Sequence, residues 1–373
     1  MRFLLLASFA DSVTSFRGAL IDALIDKGFE VHVAAPGAAP GSPTLKSLVD
    51  KGVILHNVFI ERAGLNPIHD VRAFFSILGI IIRVRPDIFL AYTIKPVVYG
   101  ILAARLACVP RRYALVTGLG YSFQDATGFF RGVARFFARF LYALSLRFAT
   151  KVFFQNPDDQ QLFRERRIIG GRCYSVVVNG SGVDTSYFCF VPCSGERISF
   201  LLIARLLGDK GVREYANAAL KLKKIYPQVN FRIVGWIDSN PNSIRQDELD
   251  HWIAGGIEFL GRLDDVRPSI ADSSVYVLPS YREGTPRTVL EAMSIGRPII
   301  TTDAPGCRET VIDGSNGYLV PVASVDALVN AMKVFIDRPD LIVSMGIMSR
   351  SIAEEKYDVH KVNQVMLQEM GVV

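Results

Sequence analysis

The sequence predicts an α/β protein made of two doubly wound, Rossmann-like domains that face each other across a cleft. Short apolar runs alternate with amphipathic stretches along nearly all 373 residues, the pattern of parallel βαβ units. The alternation comes as two series, parted by the linker-like Phe188-Cys-Phe-Val-Pro-Cys-Ser-Gly195. The length suits two domains of ordinary size. The boundaries expected are a first domain over 1–187, a second over 195–355, and a terminal helix over 356–373 whose docking partner is open.

In the first series, residues 2–7 read as a buried strand and Thr14 to Lys27 as a helix stopped by Gly28. Strands follow at 31–35, 88–91, 113–116 and 152–154, with helical patterns near 68–84, 96–107 and 129–149. The second series places strands at 199–203, 231–235, 257–260, 275–278 and 298–301, with helices over 211–226, 286–294 and 324–336. In such sheets ligands bind at the carboxyl ends of the strands.

Bulk properties narrow the classes. Mean hydropathy is +0.27 with half the residues apolar, yet no run approaches the ~20 apolar residues that span a bilayer. The opening Met1-Arg-Phe-Leu-Leu-Leu-Ala-Ser-Phe-Ala10 has the look of a short signal peptide, but Asp11 ends it without a cleavage pattern, so it reads as the first strand. Net charge is +6, and residues 1–187 carry 22 Lys and Arg against 13 Asp and Glu. The first half is therefore where an anionic partner would be met. Five cysteines lack zinc or CxxC spacing and suit reduced thiols in a cytoplasm.

The segment Tyr281-Arg-Glu-Gly-Thr-Pro-Arg-Thr-Val-Leu-Glu-Ala-Met-Ser-Ile-Gly-Arg-Pro298 concentrates the chemistry. Thr285 suits an N-cap and Pro286 a first helical position, placing Glu283 in the preceding loop and Glu291 about two turns inside. Backbone N–H groups around Gly284 and Thr285, with the helix dipole, favour a diphosphate. Carboxylates beside an anion site make sense when the ligand also carries hydroxyls, as a nucleotide-sugar does. After the strand ending at Ile203 comes Ala204-Arg-Leu-Leu-Gly-Asp-Lys-Gly211. Here Arg205 and Lys210 are placed to clamp a diphosphate and stabilise it as it leaves. Neither a Gly-x-Gly-x-x-Gly nor a Walker sequence follows the first strand of either half, which argues against a nicotinamide enzyme or a P-loop ATPase.

These strings, with Gly261-Arg-Leu-Asp-Asp-Val-Arg267, Pro305-Gly-Cys-Arg-Glu309 and Asp313-Gly-Ser-Asn-Gly-Tyr-Leu-Val-Pro321, resemble retaining glycosyltransferase family four. The first half resembles its branch of bacterial capsule, O-antigen and lipid-linked glycan assembly transferases. Ser15-Phe-Arg17, Gly28-Phe-Glu-Val-His-Val-Ala-Ala-Pro36, Tyr92-Thr-Ile-Lys-Pro96, Tyr99-Gly100 and Thr117-Gly-Leu-Gly-Tyr-Ser-Phe123 carry that part. The resemblance implies a GT-B fold working without metal or cofactor. It implies that Glu283 faces the donor sugar, that Glu291 holds the ribose hydroxyls, and that Arg205 and Lys210 contact the donor diphosphate. Where many members carry a histidine after the fourth strand, this chain has Tyr92-Thr-Ile-Lys95. Lys95 is either the group that meets the acceptor diphosphate or donor sugar there, or a surface lysine before a helix. Phe16 and Arg17, at the first loop, are further acceptor candidates.

The stretch Phe129 to Phe148 repeats Arg131, Arg135 and Arg139 every four residues, and no acid occurs from Ala126 to Pro157. It fits an interfacial helix on anionic lipid or a buried helix whose arginines snorkel to solvent. No nucleic-acid recognition module is evident.

The reading is a retaining transferase, peripheral on the cytoplasmic face of a bacterial inner membrane. It moves a hexose or N-acetylhexosamine from a UDP-sugar to a sugar on undecaprenyl diphosphate. The same architecture also serves non-hydrolysing UDP-sugar 2-epimerases and non-catalytic scaffold subunits.

Overall fold

A computed structural model of the chain describes residues 1–38, 45–61, 67–118, 139–171, 173–193, 197–238 and 240–372. Two units result: Met1–Ser181 with Val362–Val373, and Gly182–Lys361.

The first unit holds a seven-stranded sheet of β1 (Arg2–Leu6), β2 (Glu30–Ala35), β3 (Ile54–Asn57), β4 (Ile88–Tyr92), β5 (Arg111–Val116), β6 (Lys151–Phe154) and β7 (Ser175–Val177). Its order is β3-β2-β1-β4-β5-β6-β7, with every pairing parallel. Helices α1 (Asp11–Asp26), α2 (Lys46–Asp50), α3 (Pro67–Val84), α4 (Ile94–Leu106) and α5 (Pro157–Glu165) connect the strands; residues 139–146 are also helical. The period-2 side-chain alternation of β1 explains why it is apolar from Phe3 onward. Phe3 and Leu5 enter one core layer with Leu20 and Leu24 of α1, while Leu4 and Leu6 enter the other with Ile77 and Ile81 of α3. Each such side chain contributes about 1.5–3 kcal/mol on burial.

The second unit repeats the plan with β8 (Ser199–Ile203), β9 (Asn230–Val234), β10 (Glu258–Phe259), β11 (Val275–Leu278), β12 (Ile299–Thr302) and β13 (Gly317–Val320). These pair in parallel in the order β10-β9-β8-β11-β12-β13. Its helices are α6 (Val212–Ile225), α7 (Gln246–Ala254), α8 (Arg267–Ala271), α9 (Arg287–Ile295), α10 (Val325–Asp337) and α11 (Asp340–Lys356), and α12 (Val359–Glu369) leads from it back to the first unit. Phe200 and Leu202 of β8 point into one layer and Leu201 and Ile203 into the other.

The docking of the tail, left open by the sequence, is visible. Met366, Leu367 and Met370 are buried with Phe3, Val31 and Leu90 in a core layer of the first unit. Tyr113 Oη donates to the Met370 carbonyl at 2.8 Å, and Lys151 Nζ to that of Glu369 at 2.8 Å.

In both sheets the connections reverse direction at one place, between β1 and β4 in the first and between β8 and β11 in the second. The loops leaving these strands diverge at such a switch point and leave a crevice at the carboxyl edge.

Candidate functional site

In the second unit the two chemistry-bearing segments leave the two strands that flank the switch point. After β8, the chain passes Arg205 and forms a single 3₁₀ turn over Gly208–Lys210. Gly211, at φ +68°, then opens α6. A Cβ at Gly211 would sit 2.1 Å from the Pro279 carbonyl oxygen, so only glycine lets this turn close against the segment after β11. That segment is tied to the turn: the Tyr281 amide donates to the Asp209 carbonyl at 2.9 Å, and Ser280 Oγ lies 3.1 Å from the same carbonyl. Tyr281 Oη donates to Glu214 Oε1 on α6 at 2.7 Å, and burial with that bond pushes the phenol up to about 12.

The result is a tight constellation. Lys210 Nζ lies 2.5 Å from Glu283 Oε1, with the two side chains 17% and 15% exposed. Ser280 Oγ donates to the same oxygen at 2.8 Å. From behind, the Glu283 amide donates to the Pro305 carbonyl at 2.9 Å. Gly306, at φ +81°, packs so closely that a Cβ would come 2.1 Å from the Glu283 carbonyl oxygen. Arg205 Nη1 donates to Asp238 Oδ2 at 2.9 Å. Both cations of the expected diphosphate clamp are therefore held by carboxylates, Glu283 and Asp238.

Two local expectations are corrected. Thr285 is not the N-cap: Pro286, extended at φ −73° and ψ 109°, takes that position and the helix starts at Arg287. Proline has no N–H to join the first turn, and its extended ψ delays helical geometry by one residue. Glu291 consequently lies about one turn inside α9 rather than two. Its side chain is 9% exposed and accepts from Arg287 Nε, four residues back, at 2.8 Å. Burial raises the Glu291 carboxyl above its ordinary value, against the pull of Arg287. Gly284 is buried and Thr285 half-buried in the loop between Glu283 and α9. Cys307 lies beneath, with Sγ 3.8 Å from the Ser280 carbonyl, and burial pushes its thiol up to about 12. It is a packing residue, not a thiolate nucleophile.

In the first unit, Lys95 is the second residue of α4, at the carboxyl edge beside the switch point. Its Nζ donates to Asp70 of α3 at 2.8 Å, each side chain 15% exposed. Asp70 also bonds Tyr99, whose phenol is raised first by burial and then by that carboxylate. Thr93, just before the helix, has φ +69° and ψ 161°, a strained conformation for a β-branched residue. Phe16 and Arg17 lie on α1, not in a loop. Phe16 is exposed, whereas Arg17 is buried, its guanidinium 5.3 Å from the Tyr92 ring centroid. The adjoining Ser12 hydroxyl and Tyr92 Oη are 2.7 Å apart. Arg139 is half-buried at the start of the helical residues 139–146; Arg131 and Arg135 lie outside the described residues.

Sequence reasoning missed Asp238, Ser280, Arg287 and Asp70, the partners of the candidate groups. Of these, only Arg287 had a sequence signal, its i,i+4 spacing to Glu291.

Among the described residues no helix is long and apolar enough to cross a membrane. No group of three His, Cys, Asp or Glu there is arranged to hold a metal ion.

Comparison with known proteins agrees with this architecture. Residues 197–338 match the model of glycosyl transferases group 1, and residues 3–156 the glycosyl transferase 4-like model. The chain is 29% identical over 359 residues to the N,N'-diacetylbacillosaminyl-diphospho-undecaprenol alpha-1,3-N-acetylgalactosaminyltransferase of Campylobacter jejuni, covering 93% of this chain and 92% of that one. It is 25% identical to the UDP-Gal:alpha-D-GlcNAc-diphosphoundecaprenol alpha-1,3-galactosyltransferase of Escherichia coli, over 83% of this chain and 80% of that one. Among solved structures, Anabaena HepE in complex with UDP superimposes with a TM-score of 0.76 at 18% identity, over the full length of both chains. The fold is GT-B.

Proposed function

The chain belongs to the group 1 and 4-like glycosyltransferases, and on that premise we propose that it moves a hexose or N-acetylhexosamine from a UDP-sugar to a sugar carried on undecaprenyl diphosphate. The observation that carries the donor side is the pairing of Lys210 with Glu283 where the loops after β8 and β11 meet. A diphosphate entering there shares Lys210 and Arg205 with carboxylates that already hold them in place, so little is lost in ordering them. Glu283 then faces the donor sugar, and Glu291, one turn deeper, accepts from the ribose hydroxyls. Gly284 and Thr285 bring backbone toward the phosphates.

In the transfer, the bond from the sugar C1 to the UDP oxygen breaks and a bond from C1 to the acceptor hydroxyl oxygen forms. The acceptor proton passes to the departing phosphate oxygen, and configuration at C1 is retained. Arg205 and Lys210 stabilise the negative charge that develops on UDP. The first unit takes the acceptor, with Lys95 toward its diphosphate and Phe16 and Arg17 beside the same switch point. Support for a lipid-linked acceptor comes from the named activities of the Campylobacter and Escherichia relatives and from the positive charge of residues 1–187. Such an acceptor places the enzyme peripherally on the cytoplasmic face of the inner membrane, where UDP-sugars are at hand, and Arg139 with Arg131 and Arg135 suits the anionic surface.

The test is incubation of the purified chain with a panel of UDP-sugars and undecaprenyl-diphosphate-linked monosaccharides, followed by mass spectrometry of the lipid fraction and NMR of the new linkage. A lipid-linked disaccharide with the donor's anomeric configuration is the expected product. A new nucleotide-sugar formed without acceptor would instead establish an epimerase.

A further inference from the structure

Helix α3 is apolar on both sides. Its inner face, Ala73, Ile77, Ile80, Ile81 and Val84, is buried against the sheet, as any helix of a doubly wound fold requires. The opposite face carries Val71, Phe75 and Ile82, which are 56%, 63% and 55% exposed. With about 100° of rotation per residue, Val71, Phe75, Gly79 and Ile82 fall within an arc of about 80°. Gly79 is exposed as well, and a Cβ there would meet nothing within 4 Å. The pole of the helix most remote from the core is thus an apolar stripe about three turns long.

Cations flank it. Arg72 and Arg83 are exposed on the adjoining strip, with Arg85 just beyond the end of the helix. From residue 67 to 112 the chain has seven Lys and Arg against two acids, and both acids are engaged internally. Asp70 takes Lys95, and Asp87 accepts from the Arg2 amide at 2.7 Å. Bulky apolar side chains bordered by arginines, with Glu61 beside the first turn paired to His69 at 2.7 Å, are what an anionic bilayer interface takes: acyl chains receive the stripe and headgroup phosphates the guanidinium groups. A second copy of this chain fits less well, because it would bring two cationic surfaces together.

We infer that the outer face of α3, through Val71, Phe75 and Ile82 with Arg72 and Arg83, seats the protein on an anionic lipid surface. The inference rests on the lipid-linked acceptor reading above and adds a surface distinct from the stretch holding Arg131, Arg135 and Arg139.

The experiment is flotation of the full chain with vesicles of phosphatidylcholine alone and with phosphatidylglycerol added. Wild type is compared with the double variant Phe75→Ser, Ile82→Ser and with Arg72→Gln, Arg83→Gln. Wild type is expected to float with the anionic vesicles, and each variant to partition at least about tenfold more weakly. An unchanged UDP-induced thermal shift checks that each variant is folded. Undiminished flotation of the folded serine variant overturns the assignment. So does concentration-dependent dimerisation of wild type that the serine variant abolishes, because a second copy then covers the stripe. Vesicle binding that persists when no polyprenyl acceptor is glycosylated refutes the acceptor reading while leaving the surface in place.

Discussion

Lys210 Nζ and Glu283 Oε1 are 2.5 Å apart although the residues are 73 positions distant in sequence, and they join the loops that leave β8 and β11. A cation and a carboxylate in contact, each mostly shielded, leave neither group free to wander, so under the proposed function a donor would meet a site already arranged. Removing either partner would leave the other half-buried and uncompensated.

Replacing Glu283 with Ala is therefore expected to lower transfer by about 10²-fold or more. The cost in stability is about 1–3 kcal/mol, and UDP still shifts the melting temperature. Single-turnover assays beside thermal denaturation separate the two effects. Transfer at the wild-type rate in the folded variant removes Glu283 from the reaction.

Glu291 gives a prediction with a sign. Its carboxyl is raised by burial, so the folded state holds the proton to higher pH than the unfolded chain does. Its contribution to stability therefore declines as pH rises from the ordinary value of 4.5 through the raised one. Glu291→Gln should match wild type in stability below that window and exceed it at neutral pH, while UDP affinity falls about tenfold or more. Denaturation at stepped pH and calorimetric titration with UDP measure the two. A variant that loses stability at neutral pH contradicts the burial argument.

Glu248 has the opposite sign. Its bond from Arg213 Nε, 2.6 Å long, lowers its carboxyl to about 2. The stabilisation is complete above the ordinary value of 4.5 and is lost as pH falls from there toward about 2. Glu248→Gln should flatten that part of the acid-unfolding curve and leave donor binding unchanged, as denaturant midpoints at each pH would report.

Gly306→Ala places a methyl group 2.1 Å from the Glu283 carbonyl oxygen at φ +81°. Strain of about 1–3 kcal/mol is expected, and because the displaced backbone carries Glu283, kcat should fall further than stability alone would require. A variant with lowered melting temperature but normal kcat would show that the Glu283 backbone is not held by this contact.

Lys95→Ala should raise KM for the lipid-linked acceptor about tenfold or more with little change in the UDP-induced thermal shift. An effect on donor KM alone would move Lys95 to the donor side.

The sequence was informative where chemistry and period coincide. The buried strands could be read from their apolar runs because parallel sheets are covered on both faces, and so could the placement of Arg205 and Lys210 after β8 and of Glu283 before α9, though not their roles. Partnerships such as Arg205 with Asp238 or Lys95 with Asp70 were not legible, since they join residues 33 and 25 apart through turns whose path no local pattern encodes. The start of α9 was misplaced by one residue because Thr-Pro is compatible with either of two caps. The burial of Arg17 went unread because an arginine on an otherwise amphipathic helix ordinarily faces water, and Tyr92 comes from a strand 75 residues away.

The return of residues 362–372 to the first unit bears on the order of synthesis. Met366, Leu367 and Met370 complete a core layer to which β1, α1, β2, α2, β4, β5 and β6 also contribute, and the Tyr113–Met370 bond spans 257 positions. On the ribosome, a nascent first unit thus waits with one apolar layer open until the whole second unit has been translated. That interval is when the chain is most in need of a chaperone, and trimming those last residues would be felt as aggregation of newly made protein before any loss of catalysis.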